Sequence, residues 1–220
     1  MSDTAKLPIV ILISGTGSNM RKLADSAIGG ELPVDIKAVI SDKADAKGLA
    51  SAAQLGIPTA HLNPKDFADR AQFDAALGEL VASYQPQLVI LAGFMRILSG
   101  VFIQRFKDRL LNIHPSLLPK YRGLHTHRRA LEAGETEHGA SVHMVTEQLD
   151  DGPIVIQAHV PVLPGDDEQT LAKRVLEYEH RIYPEAVRLF ATGRLRCLND
   201  RLWLDGRELT APLQVSYNNR

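Results

Sequence analysis

Hydrophobic positions in the first half of the chain follow two alternating rhythms. Short, branched-rich apolar runs at 8–13 (PIVILI), 34–40 and 87–92 (QLVILA) read as strands buried on both faces of a parallel sheet. Segments 18–28, 47–55 and 66–84 carry helical spacing, the last with Phe67, Phe73, Leu77, Leu80 and Val81. Further strands are expected at 58–62 and 109–113, with a helix at 99–106 before the second of these. Strands alternating with helices imply right-handed crossovers, and hence a mostly parallel, doubly wound α/β sheet.

The pattern changes after residue 113. Two prolines and a glycine make 114–124 a loop, followed by a short helix at 126–133 with Thr126 as N-cap. Strands at 140–145 and 153–160 flank the turn-rich Leu149-Asp150-Asp151-Gly152-Pro153. Residues 169–190 form a long helix that Pro184 is expected to bend, because proline removes a backbone donor. A hairpin at 195–203 turns at Asn199-Asp200. With no repeat or linker in sight, the reading is one domain over 1–220, with a phosphate-binding half at about 8–106 and a catalytic half at about 107–205.

Bulk properties narrow the function classes. The 220 residues are 45% hydrophobic, enough for a continuous core. Twenty-five Lys and Arg against 26 Asp and Glu leave a formal net charge of -1, with no electrostatic footprint for nucleic acid or an anionic membrane. Cys197 is the single cysteine, which excludes an internal disulfide and a cysteine zinc cage. No apolar run approaches the roughly 18 residues of a spanning helix, and no signal peptide is visible. A soluble cytoplasmic chain is expected.

Residues Ser14 to Asn19 sit where a buried strand hands over to a helix. Free amides and the helix dipole favour a phosphate there, and Gly15 and Gly17 allow close backbone approach. Met20 breaks the full G-x-G-x-x-G pattern, so a lone phosphate fits better than a dinucleotide, although Asp42 and Asp45 lie near where an acidic ribose partner would stand. A ligand-free βα turn is the alternative.

Residues Asn112 and His114 share one face of a strand at its carboxyl end, where open α/β sheets place ligands. A carboxamide and an imidazole side by side can donate to a developing oxyanion, and histidine carries protons near neutral pH. The turn containing Asp150 and Asp151 is the obvious source of a carboxylate partner. A hydrogen-bonded structural pair at the sheet edge is the competing reading. Five histidines between 114 and 143 raise the question of a metal, but no H-E-x-x-H pattern exists, so none is expected. His125 and His127 are assigned to the pocket mouth or the helix cap, and His61, His159 and His180 to structure. No G-x-S-x-G elbow supports a serine hydrolase, which leaves Ser116 to shape the loop.

The blocks ISGTGSN (13–19), SDKADAKGL (41–49), VILAGFMRILS (89–99), LLNIHPSLLPKYRGLHTHRRALEAG (110–134), HGASVHMVTEQLDDGPIVIQ (138–157) and EHRIYP (179–184) run in order along the chain. Together they resemble the folate-dependent phosphoribosylglycinamide formyltransferases of purine biosynthesis. That resemblance implies a formyltransferase fold with a Rossmann-like first half and transfer of a formyl group from 10-formyltetrahydrofolate to glycinamide ribonucleotide, without a metal. It implies His114 as the proton-bearing acid, Asn112 as oxyanion donor and Asp150 as the carboxylate holding the proton on His114. Gly17, Ser18 and Asn19 would hold the substrate phosphate, with Leu176, Glu177, Tyr178 and Glu179 near the ribose. Arg70, Met95, Arg96, Ile97, Leu98, Asn112, His143, Thr146, Glu147, Gln148, Leu149 and Asp150 would line the folate pocket.

Two positions depart from the usual family pattern: Asp151 where glycine normally follows the catalytic Asp, and Arg122 where proline normally precedes Gly-Leu-His. Within the superfamily the rivals are a formyltetrahydrofolate deformylase and a methionyl-tRNA formyltransferase. The first would need an N-terminal regulatory domain, for which a strand starting by residue 8 leaves no room. The second would need a C-terminal tRNA-binding barrel and a basic surface. A non-catalytic phosphate-ligand module is the rival from another class. A monomer or weak homodimer is expected.

Overall fold

A computed structural model describes residues 6–217. The first half runs β1 (Leu7–Ile13), α1 (Ser18–Ile28), β2 (Val34–Ser41), α2 (Lys47–Gln54), β3 (Thr59–His61), α3 (Arg70–Ser83), β4 (Leu88–Leu91) and α4 (Gly100–Arg105). The second half runs β5 (Leu110–His114), α5 (Thr126–Glu132), β6 (Glu137–Met144), β7 (Ile154–Pro161), α6 (Glu168–Ala191), β8 (Leu195–Leu198), β9 (Arg201–Leu204), β10 (Arg207–Glu208) and β11 (Leu213–Val215).

Eight strands form the main sheet in the order β11-β7-β6-β5-β4-β1-β2-β3. The β5–β6 and β6–β7 pairs are antiparallel and the others parallel. The expected α/β sheet, mostly parallel with a late long helix and a hairpin, is the one observed. In β1 the period of two divides Ile9, Ile11 and Ile13, which pack with α1 and α6, from Val10 and Leu12, which pack with α3 and α4. Both faces are therefore buried, and the strand reads as unbroken apolar sequence.

Two local features differ from expectation. Segment 66–84 is not one helix: a 3-10 turn occupies Pro64–Asp66, Phe67 is extended, and α3 starts after Asp69, whose carboxylate caps the Gln72 amide at 2.8 Å. Local side-chain caps at Asn63 and Asp69 outcompete helix continuity. Helix α6 carries Pro184 inside it and starts with a capping box between Asp167 and Thr170. Strand β11 was not anticipated, because three residues are too short for any periodic signal. The hairpin does turn at Asn199 and Asp200, both with positive φ, and it docks on Asp108. That carboxylate accepts from the amides of Asn199 and Asp200 at 3.1 and 3.2 Å and from Cys197 Sγ at 3.2 Å. Burial, reinforced by Asp108, pushes the Cys197 thiol up to about 12.

The Tyr183 hydroxyl fixes the strands that carry the site. Fully buried on α6, it donates to the Leu91 carbonyl at 2.8 Å and lies 3.1 Å from that of Leu111, joining the ends of β4 and β5. Tyr183→Phe removes the single donor shared by this pair of carbonyls and is expected to cost about 1–3 kcal/mol. Urea unfolding should show a lower midpoint at unchanged slope; an unchanged midpoint would remove the hydroxyl from the account.

Candidate active site

The site is assembled at the carboxyl end of β5. Leu111 and Ile113 point into the core beneath α6, so Asn112 and His114 emerge together on the opposite face. The antiparallel register places Asn112 opposite His143 and His114 opposite Ser141. The turn after β6 then returns Asp150 to the same spot.

His143 is a buried hub. Its Nδ1–H donates to the Met144 carbonyl at 2.8 Å, which leaves Nε2 to accept from Asn112 Nδ2 at 3.1 Å. Burial lowers its pKa to about 4, so the ring is neutral and this tautomer is enforced. The second amide hydrogen of Asn112 remains available to a ligand. His114 places Nε2 2.9 Å from the Tyr121 carbonyl and Nδ1 3.5 Å from Asp150 Oδ2. Both ring nitrogens thus face oxygens, giving each of two protons an acceptor. The other Asp150 oxygen lies 3.7 Å from His143 Nε2. Asn112, His114 and Asp150 converge as the sequence proposed.

Asp150 has φ 49 and accepts the Gly123 amide at 2.9 Å, so its carboxylate also ties down loop 115–125. Ser116 Oγ donates to the Lys120 carbonyl within that loop, and Ser141 Oγ donates to the Ser116 carbonyl while accepting the Leu118 amide. The assignment of Thr126 as N-cap is corrected: His125 occupies the cap in a left-handed conformation, and Thr126 Oγ1 donates to the Pro115 carbonyl at 2.7 Å. His127 Nδ1 and His138 Nε2 lie 3.2 Å apart behind the loop. Among the described residues no group of three or more His, Cys, Asp or Glu is placed to hold a metal ion.

A small cavity of about 90 Å³ opens beside Asn112. Of the residues expected around a folate, Arg96, Ile97, Leu98, Asn112, His143, Thr146, Glu147, Gln148, Leu149 and Asp150 line it. Arg70 and Met95 do not. Arg70 opens α3, where its Nε lies 3.6 Å from the buried Asp74 carboxylate, while Met95 is two-thirds exposed and only its amide is engaged, by Ser14 Oγ at 2.9 Å. Leu91, Phe94, Ile103 and Val145 complete the lining and were missed. Leu91 and Phe94 both stand inside the 89–99 block; Ile103 and Val145 look like ordinary core residues. A much larger groove of about 830 Å³ runs past Thr136, His159 and Tyr217 along β7 and β11. It contains none of the converging groups, and chemistry outweighs volume in locating the site.

At the other end, Gly17 takes φ 73 and α1 begins with no side-chain cap, leaving its first amides free. A Cβ on Gly17 would lie 2.8 Å from Gly48 Cα, so this turn needs two glycines in contact. Asn19 departs from expectation: its Nδ2 is engaged by Glu179 Oε2 at 2.6 Å and its Oδ1 is buried without a partner. Burial raises the Glu179 carboxyl, against the Asn19 bond that lowers it. The bond joins the phosphate-type loop to Glu179 of the 176–179 set. Leu176 is half-buried and Glu177 exposed, while the Tyr178 ring lies against Tyr217 with Arg181 over it.

The two neutral histidines give the fold a pH dependence. Burial lowers His138 and His143 to about 4 each. The unfolded chain takes up these protons as pH falls through about 6.5, whereas the native state waits until about 4. Stability is therefore complete above pH 6.5 and falls by a few kcal/mol on the way to pH 4. Urea unfolding between pH 7.5 and pH 4.5 measures this, and a flat profile would contradict the buried neutral rings.

Known proteins resemble the chain along most of its length. A model of the formyl transferase family, "Formyl transferase", matches residues 7–187. The phosphoribosylglycinamide formyltransferase of Escherichia coli K12 is 51% identical over 201 residues, covering 91% of this chain and 95% of that protein. The human trifunctional purine biosynthetic protein adenosine-3 is 45% identical over 194 residues, 88% of this chain and 19% of its own length. The solved phosphoribosylglycinamide formyltransferase of Coxiella burnetii superposes with a TM-score of 0.90 at 48% identity, covering 94% of this chain and 99% of that one. The chain belongs to the formyl transferase family.

Proposed function

We propose that the chain is a phosphoribosylglycinamide formyltransferase that moves the formyl group of 10-formyltetrahydrofolate to the amine of glycinamide ribonucleotide in purine biosynthesis. The convergence of Asn112, His114 and Asp150 beside the cavity carries this reading. The flat pterin belongs between Ile97, Leu98 and the 146–150 turn, where backbone groups can pair with its edge. The phosphate belongs at the uncapped start of α1, with Glu179 beside the ribose.

The chemistry is one addition and one elimination. The amine lone pair forms a bond to the formyl carbon, and the carbonyl π electrons move onto oxygen. The free amide hydrogen of Asn112 and protonated His114 stabilise that oxyanion, which makes the transition state the best-bound species. Collapse breaks the bond to N10, and the proton lost by the attacking amine is delivered to N10, with Asp150 holding the imidazole in place. N-formylglycinamide ribonucleotide and tetrahydrofolate leave. The chain works as one catalytic unit in the cytoplasm, where a single buried thiol at Cys197 suits a reducing compartment.

Steady-state turnover with both substrates tests the proposal. Folate consumption that requires glycinamide ribonucleotide is expected. Consumption without the amine would make the chain a deformylase, and binding without turnover would make it a sensor.

A further inference from the structure

Two loops meet over the His114 side of the site, through adjacent contacts. The Gly123 amide donates to Asp150 Oδ2 at 2.9 Å, and one residue away on each loop the Arg122 guanidinium is ion-paired with the Asp151 carboxylate. The two positions that depart from the family pattern are therefore partners. Each side of this seam is braced from behind. The Arg122 carbonyl accepts from Arg129 Nη1 at 2.6 Å, and the Arg129 guanidinium lies 5.2 Å from the centre of the Tyr121 ring. The Tyr121 carbonyl is in turn the partner of His114 Nε2. On the opposite loop, Asp150 sits in a left-handed conformation between Leu149 and the charged Asp151.

We propose that Arg122 and Asp151 act as a positioning pair for Asp150. This rests on reading Asp150 as the carboxylate partner of His114. The pair joins residues 122 and 151, and so holds residues 123 and 150 at the spacing of the Gly123 to Asp150 hydrogen bond. That bond sets where Oδ2 stands relative to His114 Nδ1. Neither Arg122 nor Asp151 lines the cavity beside Asn112, so their influence passes through Asp150. Both side chains are partly exposed, at 42% and 32%, so the effect is that of a solvent-screened ion pair, severalfold rather than thousandfold.

A double-mutant cycle on kcat at saturating substrates tests the pair. Arg122→Ala and Asp151→Ala are each expected to lower kcat about fivefold, with the doubly substituted enzyme no slower than either one. The KM for glycinamide ribonucleotide and the urea midpoint should stay at wild-type values. In a His114→Asn background, Arg122→Ala should change the residual rate no further, which distinguishes action through His114 and Asp150 from general loosening of the loops. Losses that multiply in the double variant, or that persist in the His114→Asn background, would overturn the positioning role. A wild-type protein without turnover would instead overturn the functional reading, so the two failures are separable.

Discussion

His114→Asn lowers kcat by about 10³-fold while the affinity for the phosphate-bearing substrate stays within a few-fold of wild type. Asparagine places its amide near the position of His114 Nδ1, which faces Asp150 Oδ2 at 3.5 Å, so it can still donate toward the carboxylate that ties down the loop through the Gly123 amide. What asparagine cannot do is carry a proton or place a positive charge beside the oxyanion. Removing a general acid costs roughly 10²–10⁴-fold, and one oxyanion donor roughly 10²–10³-fold. The two roles overlap in one side chain, which places the expected loss near the middle of that range. The phosphate site proposed at the start of α1 lies on a different element and should be spared. Kinetics with both substrates, alongside calorimetric binding of glycinamide ribonucleotide, check the result. Affinity falling in step with rate would mean that His114 holds the fold rather than the reaction.

Gly152→Ala should be severely damaging to both fold and rate. A Cβ at this position would lie 1.9 Å from the Met144 carbonyl oxygen and 2.8 Å from its carbon. Neither atom can yield cheaply. The Met144 oxygen accepts His143 Nδ1–H at 2.8 Å, and the Met144 amide donates to Pro153 at 2.9 Å. Relief must therefore displace either the end of β6, which carries His143, or the turn that carries Asp150. Overpacking of this kind costs at least about 3 kcal/mol, and the displaced groups are those facing Asn112 and His114. Urea unfolding and kcat should both fall, the rate by about 10²-fold or more where the protein remains folded. A soluble Gly152→Ala protein with a wild-type midpoint and rate would show that the turn has slack the geometry denies.

Much of the sheet was legible because buried parallel strands leave a dense signature. The runs at 8–13 and 87–92 could be placed as β1 and β4 within a residue or two, since burial on both faces permits little but branched apolar side chains there. Short or polar elements were not legible. The helix expected over 66–84 was split by two local caps, and β11 is a strand only because the edge of β7 offers it hydrogen bonds. The residues expected around a folate divided along similar lines. Those on the 96–98 and 146–150 segments line the cavity, whereas Arg70 and Met95 fell outside it, the first because α3 begins at that residue.

The order of amino acids alone specified the chemistry available: a carboxamide and an imidazole two positions apart on a strand, an acidic turn, and paired glycines before a helix. Alternation of side chains along an extended backbone follows from covalent geometry, so the shared face of Asn112 and His114 required no fold. Only tertiary packing decided the rest. Burial made His143 neutral and thereby turned it into the acceptor that orients Asn112. Antiparallel pairing of β5 with β6 brought Asp150 within 3.5 Å of His114 across 35 intervening positions. The return of the 146–150 turn also set Arg122 against Asp151, and the packing of α1 on α6 set Asn19 against Glu179. Contacts between residues so distant in sequence have no local signature, because they exist only once the hydrophobic core has fixed the strands on which they ride.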